Sequence, residues 1–223
     1  MPRLVLVPTP IGNLKDITYR AVEVMKNADL IMAEDTRTTG KLLKHYEIEN
    51  KLVPYHQHNE HKVLKSSLSR IMNSEVVALV TDAGTPGISD PGFLLARECI
   101  RNGIEVECLP GPTSIIPAVV QSGIPCDQFI FLGFLPHKKG RKTRLEEMAG
   151  ISMTMVLFES PHRIVKTLSQ LAGHLGKDRQ ACVCRELTKI HEENARGTLG
   201  SLADHFESKE VRGEIVLVIA GKA

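Results

Sequence analysis

The twelve residues TDAGTPGISDPG, Thr81–Gly92, constrain this chain most. They follow an apolar run, Val76–Val80, that reads as a buried strand. Three glycines, two prolines and two aspartates directly after such a run form a tight loop lined largely by backbone. Gly84 and Gly87 permit positive φ or close approach of a ligand to the main chain, while Pro86 and Pro91 limit the conformations of the loop. In open α/β sheets ligands bind beyond the carboxyl ends of strands, so a constrained loop with Asp82 at its mouth predicts a pocket wall.

The pattern of run and loop recurs. Segments rich in Val, Ile and Leu alternate with amphipathic ones, which predicts βαβ units, mainly parallel sheet and an α/β fold. Strands are expected near Leu4–Val7, Leu30–Ala33, Lys51–Tyr55, Val76–Thr81 and Glu105–Leu109. Helices are expected between them, at about Ile17–Ala28, Thr38–Tyr46, Glu60–Asn73 and Gly92–Asn102. Leu109–Pro125 then carries four prolines, a density that predicts a boundary between two packed domains, 1–112 and 113–223. Beyond it, strands are expected near Phe129–Leu132, Met153–Phe158, Ala181–Arg185 and Gly213–Ile219. One helix should end near Ala149 and another should run from Pro161 to about Leu171. A chain of 223 residues can bury two such cores.

Composition narrows the functional classes. Hydrophobic content of 42% and charged content of 24% fit a globular protein, and no stretch of about 18 apolar residues is present to span a bilayer. The opening MPRLVLVPTP is too short and too Pro-interrupted for a secretory signal, so a cytoplasmic location is expected. Five cysteines lack CxxC spacing, and Cys182 and Cys184 would share one strand face; they read as structural thiols. The group His56, His58 and Glu60 reads as a solvated turn entering a helix, so no metal is expected. No two glycines stand at i and i+2, which removes the GxGxxG dinucleotide fingerprint. A net charge of +2 implies no nucleic-acid binding by itself, so any such partner must rest on a local patch.

Six loops remain, each after an expected strand: PTPIGN (Pro8–Asn13), AEDTR (Ala33–Arg37), TDAGTPGISDPG, LPGPTS (Leu109–Ser114), FESPHR (Phe158–Arg163) and RELTK (Arg185–Lys189). Together they resemble the tetrapyrrole methylase superfamily and, within it, the ribosomal RNA small-subunit methyltransferase I family. The resemblance runs from Leu4 to Gly221. It implies two α/β domains of tetrapyrrole methylase type with S-adenosylmethionine bent in the cleft between them, usually in a homodimer. It further implies 2′-O-methylation of a cytidine in the decoding centre of small-subunit ribosomal RNA. Matching motifs carry over Pro10 and Ile11 beside the cofactor, and Asp82, Gly84, Thr85 and Ile88 around its methionine part. Thr113 and Ser114 would lie near its carboxylate, and Phe158, Leu187 and Thr188 near adenine and ribose.

Methyl transfer from a sulfonium is an in-line displacement with an activated leaving group, so loops that align donor and acceptor and exclude water suit it. A ribose 2′-hydroxyl is a weak nucleophile and gains from a positioned base. Asp35 is the first candidate, with Glu34 and Glu186 beside it; equally, Asp35 could cap the following helix and pair with Arg37. Arg37, Arg185 and Lys189 are expected to hold flanking phosphates. The stretch HKKGRKTR, His137–Arg144, concentrates Lys138, Lys139, Arg141, Lys142 and Arg144 and predicts an RNA-binding patch. Aromatic content of 4% with no Trp favours recognition of backbone and shape over base stacking.

Two other readings use the same loops. One is a tetrapyrrole C-methyltransferase acting on a uroporphyrinogen or precorrin, whose carboxylates would also meet Arg and Lys. The other is a non-catalytic ribosome-assembly factor that binds S-adenosylmethionine as a structural ligand. Many members of the resembled family continue past the last strand with a small basic domain, whereas this chain ends at Ala223. RNA recognition is then expected from the basic loop, a dimer surface or the assembled subunit.

Overall fold

The computed structural model describes residues 1–222, which form two compact units, Met1–Thr113 and the residues from Ser114 onward. In the first unit, β1 (Arg3–Leu6), β2 (Leu30–Ala33), β3 (Leu52–Pro54), β4 (Val76–Val80) and β5 (Glu105–Cys108) pair in parallel in the order β3-β2-β4-β1-β5. Their crossovers are α1 (Tyr19–Asn27), α2 (Thr36–His45), α3 (Glu60–Met72) and α4 (Phe93–Arg101). Side chains alternate across the sheet. Val5, Val7, Ile31, Ala33, Ala78 and Val80 pack with Met25 of α1 and Leu43 of α2. Leu4, Leu6, Leu30, Met32, Val77 and Leu79 pack on the other face with Ile71 of α3 and Leu95 of α4. Burial on both faces is why these strands read as continuous apolar runs.

Strand order fixes where a ligand can enter. The chain leaves β1 and β2 toward the face covered by α1 and α2, but leaves β4 toward the face covered by α4. Adjacent loops that depart to opposite faces open a crevice at the carboxyl edge of the sheet. The loops after β1, β2 and β4 all border it.

The second unit holds α5 (Ile115–Ser122), β6 (Phe129–Phe134), α6 (Arg141–Met148), β7 (Thr154–Glu159), α7 (Ile164–Leu175), β8 (Gln180–Arg185), β9 (Glu193–Thr198), α8 (Leu199–Glu207) and β10 (Ile215–Ile219). Its sheet runs β6-β7-β10-β8-β9, and the expectation of mainly parallel pairing fails here. Only β6 and β7 are parallel; the other three pairs are antiparallel. The apolar runs of β7, β8 and β10 arise because α6, α7 and α8 cover one face while α5 covers the other. Such a run reports burial on two faces and is silent on strand direction. Because β7 and β8 flank β10 antiparallel to it, they run parallel to each other. The loops after β6, β7 and β8 therefore share one edge of this sheet.

Four elements lie outside the sequence expectations: α5, β9, α8 and a single 3-10 turn at Leu14–Asp16. Helix α5 sits inside the Pro-rich segment, with Pro117 as its third residue. The first four N–H groups of a helix have no intrahelical acceptor, so proline costs little there. The helix expected from Pro161 starts at Ile164, after a turn in which Arg163 N–H donates to the Ser160 carbonyl. Among the described residues no helix is long and apolar enough to cross a membrane.

Candidate active site

At the crevice of the first sheet the loops are laced together by backbone and carboxylates. Thr9 N–H donates to the Gly84 carbonyl at 3.0 Å and Gly84 N–H returns a bond to Thr9 at 2.9 Å, joining PTPIGN to TDAGTPG in one antiparallel bridge. Pro10 and Ile11 are buried, and Gly84 adopts φ +82° with the Ile11 side chain against it. Thr85 Oγ1 donates to the Pro112 carbonyl at 3.4 Å, which ties in LPGPTS. A Cβ on Gly111 would stand 2.8 Å from Pro8 Cβ, so this approach needs glycine. Ile88 stays exposed, and Ser114 caps α5 without a side-chain cap bond.

Glu34, Asp35 and Asp82 meet where β2 and β4 end. Asp82 N–H donates to Glu34 Oε2 at 3.3 Å, and Asp35 N–H donates to Asp82 Oδ1 at 3.3 Å. Burial pushes the Glu34 carboxyl up, and the Asp82 charge adds to that, against the pull of the Asp82 N–H. Burial likewise pushes Asp82 up, against the Asp35 N–H.

Asp35 is in the opposite state. It caps α2, accepts Arg37 N–H at 2.8 Å and binds the Arg37 guanidinium at 2.6 and 3.1 Å. Those bonds hold its carboxyl far below the usual carboxylate range. The capping and pairing alternative is thus present, and a carboxylate so held is a poor proton acceptor. Arg37 remains exposed to solvent on its outer side.

In the second unit the turn after β8 is backbone-strained. Glu186 at φ 54° and Thr188 at φ 66° both occupy the left-handed region, which is unusual for a β-branched residue. Thr188 N–H donates to Glu192 Oε2 at 2.7 Å, while Thr188 Oγ1 is buried without a partner among the described residues and Leu187 packs inward. Burial raises the Glu186 carboxyl, but the Lys189 ammonium at 2.8 Å and the Glu214 N–H at 2.9 Å outweigh it and hold it below the ordinary value. Lys189 also binds Glu214 at 3.0 Å, and Arg185 binds Glu193 at 3.1 Å. The cations expected to hold phosphates here are therefore engaged by acids. Phe158, at the end of β7, packs edge-on to Phe131 and Phe134.

The basic stretch divides. Lys138, Lys139 and Lys142 are exposed and Arg144 is partly so. Arg141 corrects the expectation of a fifth RNA-binding cation, being 8% exposed and fully committed inside the unit. It donates through Nε to Gln170 at 2.8 Å, through Nη1 to the Pro136 carbonyl at 3.1 Å and through Nη2 to Thr167 at 2.7 Å. Thr167 in turn donates to buried Glu159 at 2.7 Å, and Glu159 binds Arg163 at 2.7 Å. The run of charges concealed this, because an arginine at a helix start reads as solvated until the acceptors on α7 are known.

A parallel doubly wound sheet and a mixed sheet, each gathering its motif loops on one edge, define the class. Residues 3–203 match the family described as Tetrapyrrole (Corrin/Porphyrin) Methylases. The fold is shared with a uroporphyrin-III C-methyl transferase from Thermus thermophilus complexed with S-adenyl homocysteine (TM-score 0.65, 19% identity, 98% of this chain and 97% of that one). Within the class, the chain is 48% identical to the ribosomal RNA small subunit methyltransferase I of Synechocystis sp., over 98% of this chain and 78% of that protein. It is 45% identical to the protein of the same name from Thermotoga maritima over the full length of both. The chain belongs to the ribosomal RNA small subunit methyltransferase I family.

Proposed function

We propose that this protein transfers a methyl group from S-adenosylmethionine to the ribose 2′-oxygen of a cytidine in small-subunit ribosomal RNA. The observation that carries the reading is the lacing of Glu34 and Asp82 beside the Thr9–Gly84 bridge, which puts a raised carboxyl next to a backbone-lined cradle. The residues fit the cofactor. Gly84, at φ +82° and without a side chain, leaves room beside the Thr9 bridge, Asp82 offers a carboxylate to an ammonium, and Thr188 Oγ1 is a buried hydroxyl lacking a partner among the described residues.

Bound S-adenosylmethionine would supply an activated methyl group on a sulfonium. As the family resemblance implies, Pro10, Ile11, Asp82, Gly84, Thr85 and Ile88 would hold its methionine part, Thr113 and Ser114 its carboxylate, and Phe158, Leu187 and Thr188 its adenosine. Glu34 takes over from Asp35 as first candidate for the base. Its carboxyl is raised and, among the described residues, has no cation within ion-pair distance, whereas Asp35 and Glu186 are held low by Arg37 and Lys189. Glu34 would accept the 2′-hydroxyl proton as the new O–C bond forms, an effect on the order of 10²- to 10⁴-fold. Lys138, Lys139, Lys142 and Arg144 meet the RNA backbone. The protein works as a homodimer in the cytoplasm, where its ribosomal substrate is.

The test is transfer of labelled methyl to small ribosomal subunits from cells lacking this protein, followed by nucleoside analysis. Label in 2′-O-methylcytidine is expected. Label absent from RNA but accepted by a uroporphyrinogen would refute the reading in favour of a tetrapyrrole acceptor.

A further inference from the structure

The outer face of α2 has a charge pattern that the site does not explain. Its ten residues include Arg37, Lys41, Lys44 and His45 and no acid. At 3.6 residues per turn these four side chains lie on one side of the helix, and all are exposed. Like charges at i and i+4 weaken a helix, and α4 and α6 interleave acids among their cations. In α6 Lys142 pairs with Glu146 and Arg144 with Glu147, and in α4 Arg101 pairs with Glu98. Among the described residues Lys41 and Lys44 have no ion pair within 4.0 Å, and only Arg37 has one, to the cap Asp35. The helix dipole accounts for cations in the last turn but opposes Arg37 in the first, so stability does not explain the stripe.

The stripe also connects two places. It starts at the AEDTR turn beside Glu34 and Asp82, and it ends at an open groove of about 650 Å³ lined by Lys15, Tyr19, Lys26, His45 and Tyr46, with Glu23 as the acid in that lining. Tyr19 is 98% exposed, although an aromatic ring at a helix start would ordinarily cover apolar surface. The Tyr46 hydroxyl donates to the Leu14 carbonyl and fixes one wall.

We propose that the α2 stripe and this groove form a track for the RNA strand that carries the acceptor nucleotide. Lys41 and Lys44 neutralise successive phosphates leading away from Glu34, and an unpaired base stacks on Tyr19 above Lys15 and Lys26. The steps from Arg37 to Lys41 to Lys44 advance by about 6 and 4.5 Å along the helix, so the cations form a row and not a cluster. The proposal rests on the reading of the chain as an RNA methyltransferase. An acidic ribosomal protein could also meet lysines, but an exposed aromatic beside cations is the arrangement that single-stranded RNA uses.

The experiment compares wild type, Lys41→Gln with Lys44→Gln, Tyr19→Ala, and a control, Lys62→Gln with Lys65→Gln, on the exposed side of α3. A fluorescent single-stranded RNA oligonucleotide and isolated small subunits are titrated over a range of salt, alongside calorimetry with S-adenosylmethionine. Losing two phosphate contacts lowers the slope of log K against log[salt] by about 1.4, and losing one stacked base weakens binding by about tenfold. Cofactor affinity and the control stay at wild-type values. Wild-type affinity and slope in the α2 double variant would overturn the proposal. So would a loss confined to subunits with the oligonucleotide unaffected, which would point to a protein partner. If the wild type transfers no methyl to subunits, the functional reading fails instead, and the salt slopes still decide the track.

Discussion

Glu34 and Asp35 are adjacent in sequence yet held in opposite protonation tendencies, and the difference can be tested. Burial raises Glu34 above its ordinary value of 4.5, so the folded state holds that proton more tightly than the unfolded chain. Its favourable contribution is complete below pH 4.5 and is lost as pH rises through the folded value. We predict that Glu34→Gln raises Tm at neutral pH, with the gain vanishing below that point, while methyl transfer falls on the order of 10²- to 10⁴-fold. Asp35 has the reverse sign: its stabilisation is present above the ordinary 3.8 and is lost as pH falls. Asp35→Asn keeps an N-cap side chain, so a small drop in Tm at neutral pH and near-normal transfer are expected. Differential scanning calorimetry against pH checks both. Asp82→Ala removes a carboxylate from the cradle and should weaken S-adenosylmethionine binding about 10- to 100-fold by calorimetry, as for a lost hydrogen bond to a charged group. The sequence named all three acids and put Asp35 first as the base; the proposal moves to Glu34 because Arg37 folds back onto Asp35, a contact that no spacing declares.

The start of α6 shows how one basic run serves two purposes. Arg141 anchors it through Thr167 and Gln170 of α7, and Glu159 closes the network against Arg163. Removing one partner of a buried ion pair leaves an uncompensated charge, so Glu159→Ala should cost about 3–5 kcal/mol in urea unfolding. Lys138→Ala with Lys139→Ala should leave stability within about 0.5 kcal/mol and weaken binding to small subunits in a salt-dependent way. If Arg141→Ala behaved like the two lysines, with unchanged stability, this division would be wrong. Element by element, legibility followed hydrophobic pattern. The strands of the first sheet were readable from apolar runs, with ends shifted by at most one residue. Strand β9, ENARGT, presents no apolar alternation because it is a polar edge strand, and α5 was hidden by Pro117.

At the scale of the molecule, the two units build their cores on different topologies. The first uses parallel crossovers, which place the loops after β1, β2 and β4 on one edge, where the motif residues meet. The second gathers the loops after β6, β7 and β8 on one edge with antiparallel pairing around β10. Loop composition was legible because Gly and Pro declare backbone geometry wherever they stand. Strand direction in the second sheet was not, since it depends on which strands become neighbours. The family followed from six loops in order, and no single loop would have carried it.

The most direct measurement is the rate of labelled methyl transfer to isolated small ribosomal subunits by wild type, Glu34→Gln and Asp35→Asn side by side, with the product read as nucleosides. We predict 2′-O-methylcytidine from the wild type and from Asp35→Asn, and a loss on the order of 10²-fold or more in Glu34→Gln with S-adenosylmethionine still bound. Label absent from RNA in the wild type, or Glu34→Gln as fast as wild type while Asp35→Asn is inactive, would contradict the account.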